Sequence, residues 1–360
     1  KVTINDFDPG TISTAQTICE GDAPAAFTSV APTGVVGTVY TYQWQSSIDN
    51  VTYSNIPGAT SATYTSGALT QDTYFRRRVT ATRNGNACTE FTPEILVTVN
   101  NFIPGTISGT QTVCEGEVPA AFTETAPTGD GTFTYQWEES SDNTTWTIIG
   151  PATAATYAPP AALAQDTWYR RQVTSTIGGN TCTEVTNTIK VTVNNFIPGS
   201  IGSDQTICES TSAAALTSVT PTGDGVFTYK WYVSTDGTTF VPVGGAISET
   251  YSPGILAADR WYKREVTSTL NGKACSKETN IIKITVNNMV PGAITADQTI
   301  CDGGTPVAFG STAATGDGGI TYQWMESING VAFTNITGAT SETFTAPALA
   351  QDTWYRRSAT

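Results

Sequence analysis

Apolar and polar positions alternate along much of this chain with a period of two. In Thr134-Tyr135-Gln136-Trp137 both aromatic rings fall on one face and the polar groups on the other. Tyr42/Trp44, Tyr229/Trp231 and Tyr322/Trp324 repeat the pattern. Such alternation predicts a β-strand with one buried face, and long apolar stretches of helical period are absent. A second stretch sets the frame. Leu163-Ala-Gln-Asp166-Thr-Trp168-Tyr169-Arg170-Arg171 has counterparts starting at Leu69, Leu256 and Leu349, at spacings of 94, 93 and 93 residues. Each copy reads as a turn running into a strand with an aromatic pair, a basic pair and then Val79, Val173, Val266 or Ala359. A fixed period of this size predicts an array of like modules.

Each module reads alike. Pro9-Gly10, Pro104-Gly105, Pro198-Gly199 and Pro291-Gly292 mark an opening turn,. Short strands follow, as in Thr17-Ile18-Cys19 and Ala25-Ala26-Phe27-Thr28, then Gly-rich turns such as Thr128-Gly-Asp-Gly131. After the aromatic–basic strand, Asn84-Gly85, Gly178-Gly179 and Asn271-Gly272 are two-residue hairpin signals, because such turns need positive φ,. The last strand is Ile95-Leu96-Val97-Thr98-Val99 or its equivalent. About seven strands per module and no helix predict an all-β tandem array of immunoglobulin- or fibronectin-III-like sandwiches. The expected boundaries are 8–102, 103–196, 197–289 and 290–360. Residues 1–7 read as the closing strand of a preceding repeat, since Lys1-Val-Thr-Ile-Asn-Asp-Phe7 matches Lys190-Val-Thr-Val-Asn-Asn-Phe196. The fourth repeat reads as cut short before its last strand, so the chain reads as a window from a longer array. Trp44, Trp137, Trp231, Trp324, Tyr169, Tyr262 and Tyr355 are the expected core. The linkers Asn100-Asn-Phe102-Ile103, Asn194-Asn-Phe196-Ile197 and Asn287-Asn-Met289-Val290 are short and precede a φ-locked proline, which predicts stiff joints and a semi-rigid rod.

Charge and cysteine change the picture. The formal net charge is −14, with no histidine and 13% charged residues. Phosphate binding needs clustered Lys and Arg, so nucleic acid is not an expected partner. Nor is an anionic membrane surface, and no stretch approaches the ~20 apolar residues of a membrane-spanning helix. Without histidine, the commonest general base and metal ligand are missing. The seven cysteines alternate at 69, 26, 68, 26, 67 and 26 residues. The simplest reading is one bridge per module, Cys19–Cys88, Cys114–Cys182 and Cys208–Cys275, with Cys301 left without a partner by the cut. Regular pairing implies an oxidising, extracellular compartment.

Candidate chemistry is thin. The four copies of the nine-residue stretch hold nine of the seventeen Lys and Arg. Trp168, Arg170, Trp261, Trp354 and Arg356 could form a face for acidic glycans. The competing reading is an Arg–Trp ladder across the sheet, and an inward Arg171 would need a carboxylate or an aromatic face. Asp72, Asp166, Asp259 and Asp352 could suggest calcium, but turn Asp residues usually bond their own backbone. Asn50, Asn143 and Asn335 sit in N-glycosylation patterns, as chance allows in so Thr-rich a chain,. No nucleophile–base pair is visible, so no catalytic residue, cofactor or metal is expected.

The recurring Pro-Gly-x-Ile, Gln-Thr-Ile-Cys-x-Gly, Tyr-Gln-Trp-x-x-Ser, Leu-x-x-Asp-Thr-Trp-Tyr-Arg-Arg and Val-Thr-Val-Asn motifs resemble the immunoglobulin-like repeats of giant Bacteroidota cell-surface adhesins of the SprB-like, gliding-motility type. The resemblance spans the whole chain and carries no binding residues across. It implies type IX secretion, attachment to the outer surface, and adhesion to external surfaces or polysaccharides. The expected function is a non-enzymatic extracellular stalk or adhesin segment. The alternatives are multivalent glycan binding, and self-assembly in which the strand Lys1–Phe7 completes module 4 of another copy.

Overall fold

The computed structural model describes residues 4–295 and 297–360. The chain divides into two compact units, 1–193 and 194–360, each carrying two modules. Every regular element among the described residues is a β-strand.

Module 1 shows the plan. Its central strand, Thr73–Arg83, runs antiparallel to Val39–Ser47 from Thr82↔Val39 to Tyr74↔Ser47. Two strands share its other edge. Asn86–Phe91 pairs with its C-terminal half and Ile95–Asn100 with its N-terminal end. Gln16–Cys19 adds in parallel to Ile95–Asn100, and Ser54–Asn55 closes the far side. The opposing layer is thin, held by single bridges at Ile12↔Ser29 and Phe27↔Tyr64. Ala25–Thr28 is expected as a strand, and the Tyr53 and Trp146 stretches, which follow the Asp-Asn turns, alternate in the same way. Structure forms there only in one- or two-residue pieces, because core packing of Phe27, rather than a ladder, holds that layer.

Thr73, Phe75, Arg77, Val79 and Ala81 alternate inward on the central strand. Trp44 and Phe27 are fully buried and their rings stack at 5.6 Å. The indole N–H of each core Trp donates to a loop carbonyl, Ser61, Ala154, Ser248 or Ser341, at 2.9–3.0 Å. That bond satisfies the one polar atom the ring carries inside. The hairpins form as the dipeptides require, with Asn84 and Gly85 at φ +48° and +77°,.

The last strand is broken in two. Arg78 pairs with Phe91 and Phe75 with Ile95, so one extra residue enters the outer strand between them. There the Thr92 hydroxyl accepts the Arg77 N–H at 3.0 Å, and Thr186 and Thr279 do the same for Arg171 and Arg264. This is a β-bulge in which a side chain replaces a ladder acceptor.

The cysteine pairing differs from the sequence reading. Cys19 is bonded to Cys182, 163 residues away, with Cα atoms 5.6 Å apart. Neither Cys19–Cys88 nor Cys114–Cys182 forms. Cys208 is a free thiol, so Cys208–Cys275 does not form either; Cys114 and Cys275 are each disulfide-bonded, but not to those partners. Cys88 and Cys301 are also free. The reason is geometric. Cys19 lies opposite Asn100, at the end of the sheet where Thr73 begins the central strand. Cys88 lies opposite Ala81, eight residues further along that strand. Asn100 lies three residues beyond Val97, the partner of Thr73, so at about 3.3 Å per residue the two sit roughly 36 Å apart along the sheet, and a disulfide needs Cα atoms within about 7 Å.

Candidate functional site: the joint between modules

The most elaborated polar structure in unit 1 is the joint between modules 1 and 2. It is built from two cross-strand pairs that face each other. Cys19↔Asn100 ends the sheet of module 1, and Ser175↔Cys182 lies in the sheet of module 2. The cysteines are bonded. The Asn100 amide, 1% exposed, donates to the Ser175 carbonyl at 3.2 Å, and the Ser175 hydroxyl donates back to Asn100 Oδ1 at 2.9 Å. Asn180 Nδ2 reaches across to the Thr17 carbonyl at 3.0 Å. A covalent bond and reciprocal hydrogen bonds therefore close one small patch.

The linker then enters module 2 as a strand. Phe102–Ile103 pairs with Thr128–Gly129, and the Asp130 N–H donates to the Asn101 carbonyl at 3.0 Å. Phe102 is buried and packs on Val173, Cys182, Phe133 and Tyr135, whereas Ile103 stays 65% exposed. Gly129 and Gly131 have φ +113° and +91°. A Cβ on Gly129 would stand 2.4 Å from the Asn101 carbonyl oxygen, and one on Gly131 would stand 2.3 Å from Ser175 Oγ. The Gly-Asp-Gly turn is a socket for the preceding linker, a role that the sequence reading missed. The signal was present: the triplet recurs at 223–225 and 316–318.

Unit 2 repeats the chemistry within itself. Asn194 and Ser268 exchange the same side-chain bonds, Phe196 packs on Phe227 at 5.8 Å, and the Asp224 N–H donates to Asn195. Asp317 likewise donates its N–H to Asn288, and Met289 pairs with Gly316.

Behind each joint lies an inward arginine. Arg77, Arg171 and Arg264 are fully buried. Arg77 donates to the carbonyls of Ala62, Pro9 and Val30, and its guanidinium stacks 4.8 Å over Tyr42. Arg171 donates to Ala155 and Pro104 and forms an ion pair with Glu124 at 2.8 Å. These arginines tie the opening Pro-Gly turn, just past the joint, to the core of the module. Burial lowers the pKa of Arg77 and Arg264 from its ordinary value, and the guanidinium remains charged.

Most of the residues suggested as a glycan face meet partners within the chain. Arg170 stacks 4.3 Å over Trp146 and bonds Glu138 at 2.6 Å. Lys190 lies over Trp168 and bonds Asp166 at 2.6 Å; Lys283 lies over Trp261 and bonds Asp259 at 2.6 Å. Arg356 stacks 4.3 Å over Phe333, and Trp354 is 47% exposed. Asp72, Asp166 and Asp259 each accept a backbone N–H of the closing strand, from Val99, Val193 and Val286, at 2.7–2.8 Å. Asp49 caps its turn by accepting the N–H groups of Thr52 and Val51, and these bonds lower its pKa to about 2.

Searching curated proteins finds no match. Among solved structures, similar chains include the N-terminal four Ig domains of Dscam1 isoform 6.9 (12% identity, covering 95% of this chain and 93% of that one, TM-score 0.24). Others are Sidekick-1 immunoglobulin domains 1–5 (15%, 88% and 68%, TM-score 0.23) and the insect immune protein hemolin (9%, 97% and 98%, TM-score 0.26). One protein family, described as "Domain of unknown function (DUF8696)", matches residues 8–101, 103–195, 197–288 and 290–360. With four tandem matches spanning almost its whole length, this all-β chain of Ig-like repeats belongs to that family.

Proposed function

We propose that the chain is a non-enzymatic extracellular spacer, an array whose stiff, covalently clamped joints hold adhesive parts of a cell-surface protein away from the cell. The observation that carries this reading is the Cys19–Cys182 bond across the joint. A bond inside one module would stabilise that module alone. A bond between modules resists their bending and separation, which is what a load-bearing stalk needs. Disulfides of this kind persist in oxidising compartments outside the cytosol. The sequence resemblance adds the finer reading of a bacterial surface adhesin of the gliding-motility type, exported by type IX secretion and held at the outer membrane. External surfaces or polysaccharides are then the partners.

Small-angle scattering of the whole chain, oxidised and reduced, tests the spacer role. The oxidised chain is expected to give a narrow distribution of end-to-end dimensions that broadens on reduction without loss of strand content. No change on reduction, or tight binding of a polysaccharide by the chain, would move the function from the joints to the module faces.

A further inference from the structure

The outer face of the large sheet in module 1 differs from the same face of modules 2 and 3. Arg76 and Arg78 both point outward on the central strand and are half-buried. The Arg76 guanidinium lies 3.8 Å from the ring centre of Tyr53 and 4.1 Å from that of Phe91. Its Nε donates to Gln45 Oε1 at 2.8 Å, and Gln45 is itself buried. The rings and the amide hold the guanidinium in place. Among the described residues its two terminal nitrogens have no hydrogen-bond partner.

The other modules neutralise this face. In module 2 the counterpart of Gln45 is Glu138, which bonds Arg170 at 2.6 Å. In module 3 the counterpart of Phe91 is Glu278, which bonds Lys263 at 2.7 Å, and the counterpart of Arg78 is Glu265. At the three positions where a repeat places a carboxylate, module 1 places an amide, a ring and a second cation. Among the described residues neither Arg76 nor Arg78 forms an ion pair. Burial raises the pKa of Tyr53 and the charge of Glu94 adds to it, so Glu94 stands near the rim, yet it bonds neither arginine. All of these residues lie within the body of module 1, away from its joints.

We infer that this face binds an extended acidic segment of a partner protein whose carboxylates are two residues apart. Residues i and i+2 of an extended segment point to one side and are separated by about 6.6 Å, the same rise that separates Arg76 from Arg78. Each carboxylate then meets one guanidinium. Arg76 presents its terminal nitrogens in one plane, the geometry of bidentate pairing. Two like charges this close repel, and a bound anion relieves that repulsion. Phe91, 41% exposed and directly across from Arg78, offers apolar surface to the stems of the acidic side chains,. The net charge of −14 gives no long-range attraction to an acidic partner, so selection is made at contact, within a Debye length of roughly 8 Å at physiological salt. A uronate polysaccharide carries its carboxylates at spacings set by the sugar ring, which the strand rise does not match. The contact goes beyond the spacer role and is independent of the joints.

The test titrates the whole chain with the blocked peptide acetyl-Thr-Glu-Val-Glu-Thr-amide, followed by calorimetry and by NMR of the Arg Nε–H signals. The signals of Arg76 and Arg78 are expected to shift along one saturation curve. Q45E installs the carboxylate of module 2 and should lower the affinity about fivefold, the worth of one part-exposed ion pair, with the circular dichroism unchanged. R78Q should do the same, and R170Q in module 2 should have no effect. Reduction of Cys19–Cys182 should leave binding intact, which separates this contact from the spacer role. A peptide with its two Glu residues adjacent should bind more weakly. No saturable shift, full affinity in Q45E, equal affinity for the two peptides, or tighter binding of a uronate oligosaccharide than of the peptide would overturn the proposal.

Discussion

At the scale of single residues, the buried arginine is the most consequential choice in the repeat. Arg171 sits with no exposed surface yet meets carbonyls, a carboxylate and a ring. Removing it orphans those acceptors, so R171L should cost about 3–5 kcal/mol in module 2, read as an earlier unfolding phase in urea. The capping aspartates act at low pH. Asp49 has its pKa lowered to about 2 by backbone N–H bonds. A folded-state pKa below the unfolded one means its contribution is present in full above about pH 4 and is lost as pH falls through about 2. NMR titration of the Asp49 carboxyl should therefore show a midpoint near 2, and the D49A turn should lose its dependence on pH in that window.

Among the elements, the linker and its socket behave as one unit. The linker contributes Asn100 and Phe102, and the Gly-Asp-Gly turn receives them. G129A forces a Cβ against the Asn101 carbonyl at a φ that only glycine adopts easily,. It should destabilise the joint by about 1–3 kcal/mol, with faster amide exchange at Phe102 and Asp130 and unchanged exchange at Trp137. The central strand shows how far the sequence carries at this scale. Its period of two placed Tyr169, Arg171 and Val173 on one face, and they share it in the fold. The bulge opposite was hidden, because Thr92, Thr186 and Thr279 are ordinary residues in a Thr-rich chain until a ladder gap needs a hydroxyl.

At the scale of the molecule, the Cys19–Cys182 bond changes what a disulfide does. In the chain-entropy model, closing a loop of 163 residues contributes about 5 kcal/mol,. That contribution falls on the joint more than on either core. Reduction should leave the unfolding of the Trp44 and Trp137 cores nearly unchanged while loosening the modules, measurable as a broadened spin-label distance distribution between modules 1 and 2.

Sequence alone determined the repeat, the strand class, the core Trp positions and the hairpin turns, because each depends on neighbours within a few residues. The Trp sits in a period-two pattern, and Asn-Gly carries its own backbone preference. Only the tertiary structure decided which cysteines meet and what Gly-Asp-Gly is for. Cys19 and Cys88 share a module but lie at opposite ends of its sheet, while Cys182 is brought to Cys19 by the way the next module docks. Spacing along a chain records length. It does not record which end of a sheet a residue reaches, and that is the distance a sulfur–sulfur bond must satisfy.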